Sequence, residues 1–250
     1  MLSIIIPTKN EEIYLPLLLA SIRTQTQQPT EIIVADAAST DRTRAIAIEY
    51  GCRVVDGGMP GPGRNRGAET ASSDFLLFLD ADVQLQDPNF LKSALADMQE
   101  RQLDFATCDI HPISDKRLDL FFHECYNKYA RLSRPLHAHA PGFCLFARRV
   151  LHEKMGGFDE TVVFCEDHDY AQRSRQVGRF GFLSSPIRIP VSTRRLDRDG
   201  RLNIAVKYML GELHLITVGP IRHHAFKYEF GHRAEARSSV SASKSTQSKK

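Results

Sequence analysis

Short apolar, β-branched runs alternate with segments of helical spacing through the first third of the chain. Ser3-Ile4-Ile5-Ile6 reads as a strand that ends in the polar turn Pro7-Thr8-Lys9-Asn10-Glu11-Glu12. A helix follows, with Pro16 in its first turns and Ile13, Leu17, Leu18 and Ile22 at roughly helical spacing. Glu31-Ile32-Ile33-Val34-Ala35-Asp36 is a second strand, and Ser39-Thr40-Asp41 offers N-caps for a helix through Tyr50. Cys52-Arg53-Val54-Val55-Asp56 is a third strand. A Gly- and Pro-rich loop over residues 57–63 then leads into a helix opening at Arg64-Asn65-Arg66-Gly67-Ala68. The fourth apolar run, Leu76-Leu77-Phe78-Leu79, has no helical period and stops at Asp80-Ala81-Asp82. Strands alternating with helices predict an α/β fold, a mostly parallel sheet flanked by helices. Such sheets bind ligands beyond the carboxyl ends of their strands, where Asp36, Asp80 and Asp82 all fall.

The pattern after Asp82 is less regular. Residues 104–110 read as a strand, residues 118–132 as an amphipathic helix facing the core or a bound ligand, and Phe143-Cys144-Leu145-Phe146 as a central strand. A helix opens at Glu166-Asp167-His168-Asp169 and ends near Gly178, and Ile187-Arg188-Ile189-Pro190-Val191 is strand-like. Between residues 202 and 221, Ile204, Ala205, Tyr208, Met209, Leu213 and Ile216 recur at helical spacing, interrupted by Lys207, Glu212 and His214. No uncharged apolar stretch there reaches the roughly 18 residues that a membrane span needs. A helix packed on the domain and an interfacial helix with the basic neighbours Arg222 and Lys227 are the two readings.

Three groups of residues carry candidate chemistry. Asp80 and Asp82 place like charges close together, which costs several kcal/mol unless a cation lies beside them. A solvated turn before Asp87-Pro88 is the plain reading; the functional one is Mg²⁺ or Mn²⁺ shared with a phosphorylated ligand, since hard oxygen donors suit both ions. Glu166-Asp167-His168-Asp169 supplies more ionisable groups than a helix N-terminus needs for capping, with Arg173 placed to pair back to the cluster. Arg194 and Arg195 either solvate a surface or clamp a diphosphate. His137 and His139 have no third ligand near them in sequence and read as surface or cleft residues rather than a metal site.

In order along residues 1–195, the motifs Ile-Ile-Ile-Pro-Thr-Lys-Asn-Glu, Ile-Ile-Val-Ala-Asp-Ala-Ala-Ser-Thr-Asp, Gly-Arg-Asn-Arg-Gly-Ala, Phe-Leu-Asp-Ala-Asp, Gly-Gly-Phe-Asp-Glu and Glu-Asp-His-Asp-Tyr resemble a family 2 glycosyltransferase of the GT-A fold. The resemblance implies a Rossmann-like mixed sheet and a metal-dependent, inverting transfer of a sugar from a nucleotide-diphosphate donor to an acceptor hydroxyl. It implies that Asp82, helped by Asp80, holds Mn²⁺ or Mg²⁺; that Pro7, Thr8, Glu11, Asp36, Arg64 and Asp80 line the nucleotide pocket; that Arg194 and Arg195 face the departing diphosphate; and that Asp167, supported by Glu166, is the general base. The acceptor is unspecified, a lipid-linked one being typical of such enzymes. Two departures stand out. The chain contains no Trp, against the Gln-x-x-Arg-Trp of processive members, and Ala37-Ala38 stands where the family often has Asp-Gly. The second leaves Asp36 alone for base recognition and the identity of the base open.

Composition adjusts this picture in three places. The formal charge of +3 over 250 residues comes from the end of the chain: residues 233–250 hold five Lys or Arg and one Glu, leaving 28 basic against 29 acidic residues elsewhere. Charge therefore gives no support to nucleic-acid binding. That basic segment is almost devoid of apolar residues and is expected to be disordered. The expected organisation is a single catalytic domain over residues 1–200, a helical extension over 201–232 and the basic tail. Five scattered cysteines with no Cys-x-x-Cys pair, and no secretory signal, are expected for buried reduced thiols in a cytoplasmic protein, peripheral to the inner face of the membrane on the interfacial reading. Two rivals to the transferase reading exist. A sugar-phosphate nucleotidyltransferase opens with a Gly-rich loop and a basic residue after its first strand, which Pro7-Thr8-Lys9-Asn10 is not; against a non-catalytic binding subunit stand the intact Asp82 and Asp167.

Overall fold

The computed structural model of the chain describes residues 1–222, apart from residues 59 and 185. In chain order the elements are β1 (Leu2–Thr8), α1 (Leu15–Arg23), β2 (Glu31–Asp36), α2 (Thr43–Glu49), β3 (Arg53–Asp56), α3 (Pro60–Thr70), β4 (Phe75–Leu79) and α4 (Phe90–Glu100). There follow β5 (Phe105–Thr107), β6 (Asp109–Ile113), α5 (Arg117–Ser133), β7 (Cys144–Arg148), α6 (Arg149–Lys154), α7 (Glu166–Val177), β8 (Phe180–Phe182), β9 (Arg188–Ser192), α8 (Arg194–Asp199) and α9 (Arg201–Thr217).

Seven strands form one mixed sheet in the order β3-β2-β1-β4-β7-β5-β8. The first four are parallel, β7 runs against both β4 and β5, and β8 is parallel to β5. After laying β2 and β3 on one side of β1, the chain crosses to place β4 on the other. The carboxyl ends of β1 and β4 therefore flank a topological switch point, the place where open α/β sheets hold ligands. Side chains alternate across the sheet, and both faces are covered. Ile4, Ile6, Val34, Leu77 and Phe146 pack on Leu18 and Ile22 of α1 and Leu91 and Met98 of α4. Ile5, Ile33, Leu76, Phe78 and Leu145 face the other way, onto Ala68 of α3, Leu151 of α6 and Tyr170 of α7. Two buried faces explain why the strands read as unbroken apolar runs rather than alternating ones.

Several expectations are corrected in detail. The buried face of α1 is Leu15, Leu18, Leu19 and Ile22, whereas Ile13 and Leu17 are exposed. Ile13 precedes the helix, and the i, i+3, i+4, i+7 stripe starts from Leu15 instead. Helix α3 begins at Pro60, earlier than Arg64, because proline at the first helical position loses no hydrogen bond and already has helical φ. Its glycines serve close approach: a Cβ on Gly67 would fall 2.3 Å from Cγ2 of Ile5, so the helix lies on β1 at a distance that only glycine allows. The segment 104–110 is two strands, because the chain leaves the large sheet at Cys108 and pairs as β6 with β9 in a separate two-stranded sheet. The Asn127 side chain bonds both the N–H and the carbonyl of Ile110 from α5, satisfying the backbone there. Of the cysteines, Cys52, Cys108 and Cys144 are buried, but Cys125 is exposed and Cys165 half-buried.

Helices α5 and α9 both depart from a simple inward apolar face. In α5 the buried residues are Asp119, Asn127 and Ala130, while Leu118, Phe121 and Leu132 are exposed. In α9 only Ile204 and Gly211 are buried, and Leu202, Met209 and Leu213 are exposed. No helix among the described residues is long and apolar enough to cross a membrane. The expected disordered tail lies outside the described residues, as do residues 223–232 of the expected extension.

An ion pair rather than apolar packing joins α9 to α5 at its start. Asp119 accepts from Nε and Nη2 of Arg201 and from the Ser114 hydroxyl at 2.7 Å. These bonds hold its carboxyl down to about 2, below its ordinary value. A carboxylate whose folded pKa is depressed contributes stability above its unfolded pKa of about 3.9 and loses that contribution as pH falls toward 2. Asp119→Asn is therefore expected to lower stability at pH 7 by ~1.5–3 kcal/mol, as for a hydrogen bond to a charged group. The gap between variant and wild type should close between about pH 4 and pH 2 in urea titrations; a constant gap across that range would remove the ionic account.

Candidate active site

A cavity of about 660 Å³ opens at the switch point, between the carboxyl ends of β1 and β4 on one side and α5, α7 and α9 on the other. Pro7, Thr8, Glu11, Arg64, Asp80, Asp82, Glu166, Asp167, Arg194 and Arg195 all border it. Asp36 does not. Its side chain is wholly buried behind the wall, accepting hydrogen bonds from Thr8 Oγ1 at 3.2 Å and the Ser39 amide at 3.0 Å, with Arg44 at 3.3 Å. Beside it Ala38 adopts a left-handed φ of 54°, the conformation that the more common glycine would accept without strain.

Arg64, on α3, is the largest fully buried side chain among the described residues, 1% exposed. Its Nη1 donates to Glu166 Oε1 at 2.7 Å, and its Nη2 to Asp80 Oδ1 at 2.9 Å and the Gly142 carbonyl at 3.2 Å. The guanidinium thus links the end of β4 to the start of α7. Burial pushes the Asp80 carboxyl up to about 6: Arg64 pulls it down, and the neighbouring Asp82 charge pushes it up again.

Asp82 is 6% exposed and meets Arg194, whose Nε lies 2.9 Å from its Oδ2. The same guanidinium forms a fork with Glu11 at 2.8 and 2.7 Å and stacks over Tyr14 at 4.5 Å. Burial raises the Glu11 carboxyl despite this pairing. Arg194 therefore pairs with both Glu11 and Asp82.

Across the cavity, Cys165 takes a left-handed turn (φ 59°) and starts α7, placing Glu166, Asp167 and Asp169 in the first turn, where the helix dipole favours anions. Asp167 Oδ2 accepts the Gly142 amide at 2.7 Å, and Oδ1 accepts the His168 amide at 2.9 Å and faces His168 Nδ1 at 2.8 Å. Burial opposes its charge, but His168 and Arg64 more than offset this, holding the carboxyl below the ordinary carboxylate range. The same interaction raises His168 against the effect of burial. Asp169 turns away and pairs with Arg173 at 2.7 Å, as the spacing suggested. Gly142 is needed here, because a Cβ would lie 2.8 Å from Asp167 Oδ2 and 3.1 Å from Arg64 Nη2.

Sequence reasoning missed Gly142, Tyr126 and Glu212, which complete the wall around Asp167. Glu212 had left a trace as a charge interrupting the apolar spacing of residues 202–221. His139 occupies the cleft, 2% exposed, with its Nε2 2.7 Å from Glu212 Oε1. The far half of the cavity is apolar, lined by Phe122, Tyr126, Phe164, Ile204, Tyr208 and Met209.

A family model described as Glycosyl transferase family 2 matches residues 3–156. The chain belongs to this family. The 4,4'-diaponeurosporenoate glycosyltransferase of Staphylococcus haemolyticus is 35% identical over 141 residues, covering 53% of this family 2 chain and 35% of the relative. The O-antigen chain rhamnosyltransferase WbaN of Salmonella anatum is 27% identical over 175 residues, covering 62% and 54%. The chain thus spans from about a third to just over half the length of these relatives. Among solved structures, S. aureus TarS in complex with UDP-GlcNAc superimposes with a TM-score of 0.62 at 23% identity, covering 76% of this chain and 58% of that one. The mannosyltransferase PcManGT from Pyrobaculum calidifontis, in complex with GDP-Man and Mn²⁺, gives 0.63 at 20% identity, covering 76% and 56%. At these identities the two structures establish the GT-A fold of the family 2 chain.

The linkage through Arg64 yields a stability prediction. Arg64→Met removes the one partner common to Asp80 and Glu166, and breaking a buried pair by removing one member typically costs about 3–5 kcal/mol. Chemical denaturation should show a loss of that order; a loss under ~1 kcal/mol would mean that both carboxylates are neutral or solvated without it.

Proposed function

We propose that this chain transfers a sugar from a nucleotide-diphosphate donor to an acceptor hydroxyl, inverting the anomeric centre. The observation that carries the reading is that two carboxylate groups distant in sequence, Asp80 with Asp82 and Glu166 with Asp167, face one cavity at the switch point and are coupled through Arg64. One group suits a diphosphate and its counter-ion, and the other suits proton removal from an acceptor.

A divalent ion fits the first group. Asp80 and Asp82 are hard oxygen donors one residue apart, and six carboxylates (Glu11, Asp80, Asp82, Glu166, Asp167, Glu212) border the cavity with four arginines (Arg64, Arg194, Arg195, Arg201) and Lys9, so the carboxylates outnumber these cations by one. Asp82, helped by Asp80, would hold Mn²⁺ or Mg²⁺. When bound, such an ion neutralises charge on the departing nucleoside diphosphate. Arg194, now resting on Asp82 and Glu11, and Arg195 bring guanidinium charge to the same side for the diphosphate. Pro7, Thr8 and Glu11 line the nucleotide end, and Asp36 bears on it from behind Thr8.

Asp167 takes the acceptor proton as the acceptor oxygen attacks. Its hydrogen bonds keep it ionised and fix its orientation, and Glu166 is held against Arg64 beside it. The apolar half of the cavity supports an acceptor with a hydrophobic portion, such as a lipid-linked one. The exposed apolar residues of α9 support contact with the cytoplasmic face of a membrane. In this reading residues 1–200 form the catalytic domain, α9 closes its acceptor side as the start of an extension over residues 201–232, and residues 233–250 are a basic tail.

Two variants test the division of labour. Asp82→Ala should weaken Mn²⁺-dependent binding of a nucleoside diphosphate at least about tenfold in calorimetry, a change worth ~1.4 kcal/mol. Wild-type affinity in that variant would show that Asp82 does not hold the metal. Asp167→Asn should leave donor KM nearly unchanged and reduce kcat by about 10²–10⁴-fold. Because both Asp167 oxygens accept hydrogen bonds, an Asn amide must face one donor, so the melting temperature is measured alongside. An Asp167→Asn protein transferring sugar at the wild-type rate would move the base to another residue.

A further inference from the structure

Three ligand-type side chains meet on the acceptor wall, two of which, His139 and Glu212, the transfer reading leaves unused. His139 comes from the loop before β7, His168 from the first turn of α7 and Glu212 from α9, and one ligand atom from each lies within 4.8 Å of the other two. All three border the cavity. The two rings stand edge to face with centroids 5.0 Å apart. Each ring is fixed from behind through Nδ1: that of His139 lies 3.0 Å from the His137 carbonyl and 3.1 Å from Ser133 Oγ, and that of His168 lies 2.8 Å from Asp167 Oδ1. Glu212 Oε1 is held by the Tyr129 hydroxyl at 2.9 Å.

This is the arrangement that metal-binding histidines show, with Nε2 forward and Nδ1 bound to a carbonyl or carboxylate behind. We propose that His139, His168 and Glu212 form a transition-metal site, for Zn²⁺ or a similar borderline ion, separate from the Asp80 and Asp82 pair. Two imidazoles and one carboxylate select such an ion, whereas an all-oxygen pair selects Mg²⁺ or Mn²⁺. Charge is balanced: Glu212 with Asp167 behind His168 offsets a divalent ion when both rings are neutral. Binding replaces the contact between His139 Nε2 and Glu212 and draws the three ligands together. The fourth position opens into the cavity and takes an anionic oxygen. Which oxygen that is in turnover rests on the acceptor reading above, but the binding of the ion does not.

The test uses the full chain, stripped with a chelator and dialysed against Zn²⁺ without nucleotide. One equivalent of bound zinc and a raised melting temperature are expected for wild type and for Asp82→Asn. His139→Gln and Glu212→Gln should each bind zinc at least about tenfold more weakly. X-ray absorption on wild-type protein does not depend on the variants folding and should show two imidazoles in the zinc shell. Absence of bound zinc, an all-oxygen shell, retention of affinity in both variants, or loss of zinc on Asp82→Asn would each overturn the site and leave a hydrogen-bonded network in its place.

Discussion

The site depends on one buried cation. Arg64 sits on α3, a helix that its glycines let lie close against β1, and reaches between the end of β4 and the start of α7. Without a guanidinium there, Asp80 and Glu166 would face each other across a region shielded from water, where like charges repel strongly. With it, two chain segments more than 80 residues apart are held together by two short charge-assisted bonds. The planar fork matters, since it addresses both carboxylates and the Gly142 carbonyl at once and a lysine presents only a point charge.

A second constraint is the crowding of carboxylates at the carboxyl edge of the sheet. The parallel strands deliver Glu11, Asp80 and Asp82 to one place because all of them follow strands that end on the same side. Arg194 answers that charge from α8, just beyond β9 in a different sheet. The small β6–β9 sheet exists for this purpose in geometric terms: it carries Ser192 and Arg194 over Asp82, fixed by the Ser192 amide on the Asp82 carbonyl at 3.2 Å. Across the cavity the logic is reversed. Asp167 is surrounded by donors, the Gly142 amide and both nitrogens offered by His168, so it stays ionised although little of it meets water.

Helices α5 and α9 form the softer wall. They bury Asp119, paired with the half-buried Arg201, and Asn127, and turn aromatic and aliphatic side chains toward the cavity and the surface. An amphipathic helix in a globular protein ordinarily does the opposite. The inversion follows from what each helix meets: the polar edge of β6 and the start of α9 on one side, an open apolar space on the other.

The sequence by itself determined the α/β alternation, the strands that end in Asp36 and Asp80, the helix opened by Glu166, and the residue types of the site. Each of these rests on local periodicity or on residues adjacent in the chain. It could not place the start of α3, because Pro60 and the glycines around it read as a loop until β1 is there to pack against. Nor could it split residues 104–110 between two sheets, since the partner strands β7 and β9 come much later. Only the tertiary structure decided that Arg64 and Arg194 are committed to carboxylates, that Asp36 lies behind the wall, and that His139 finds its companions on α7 and α9. Those outcomes depend on charges and ligand atoms brought together from distant positions, and no short-range pattern records such a meeting.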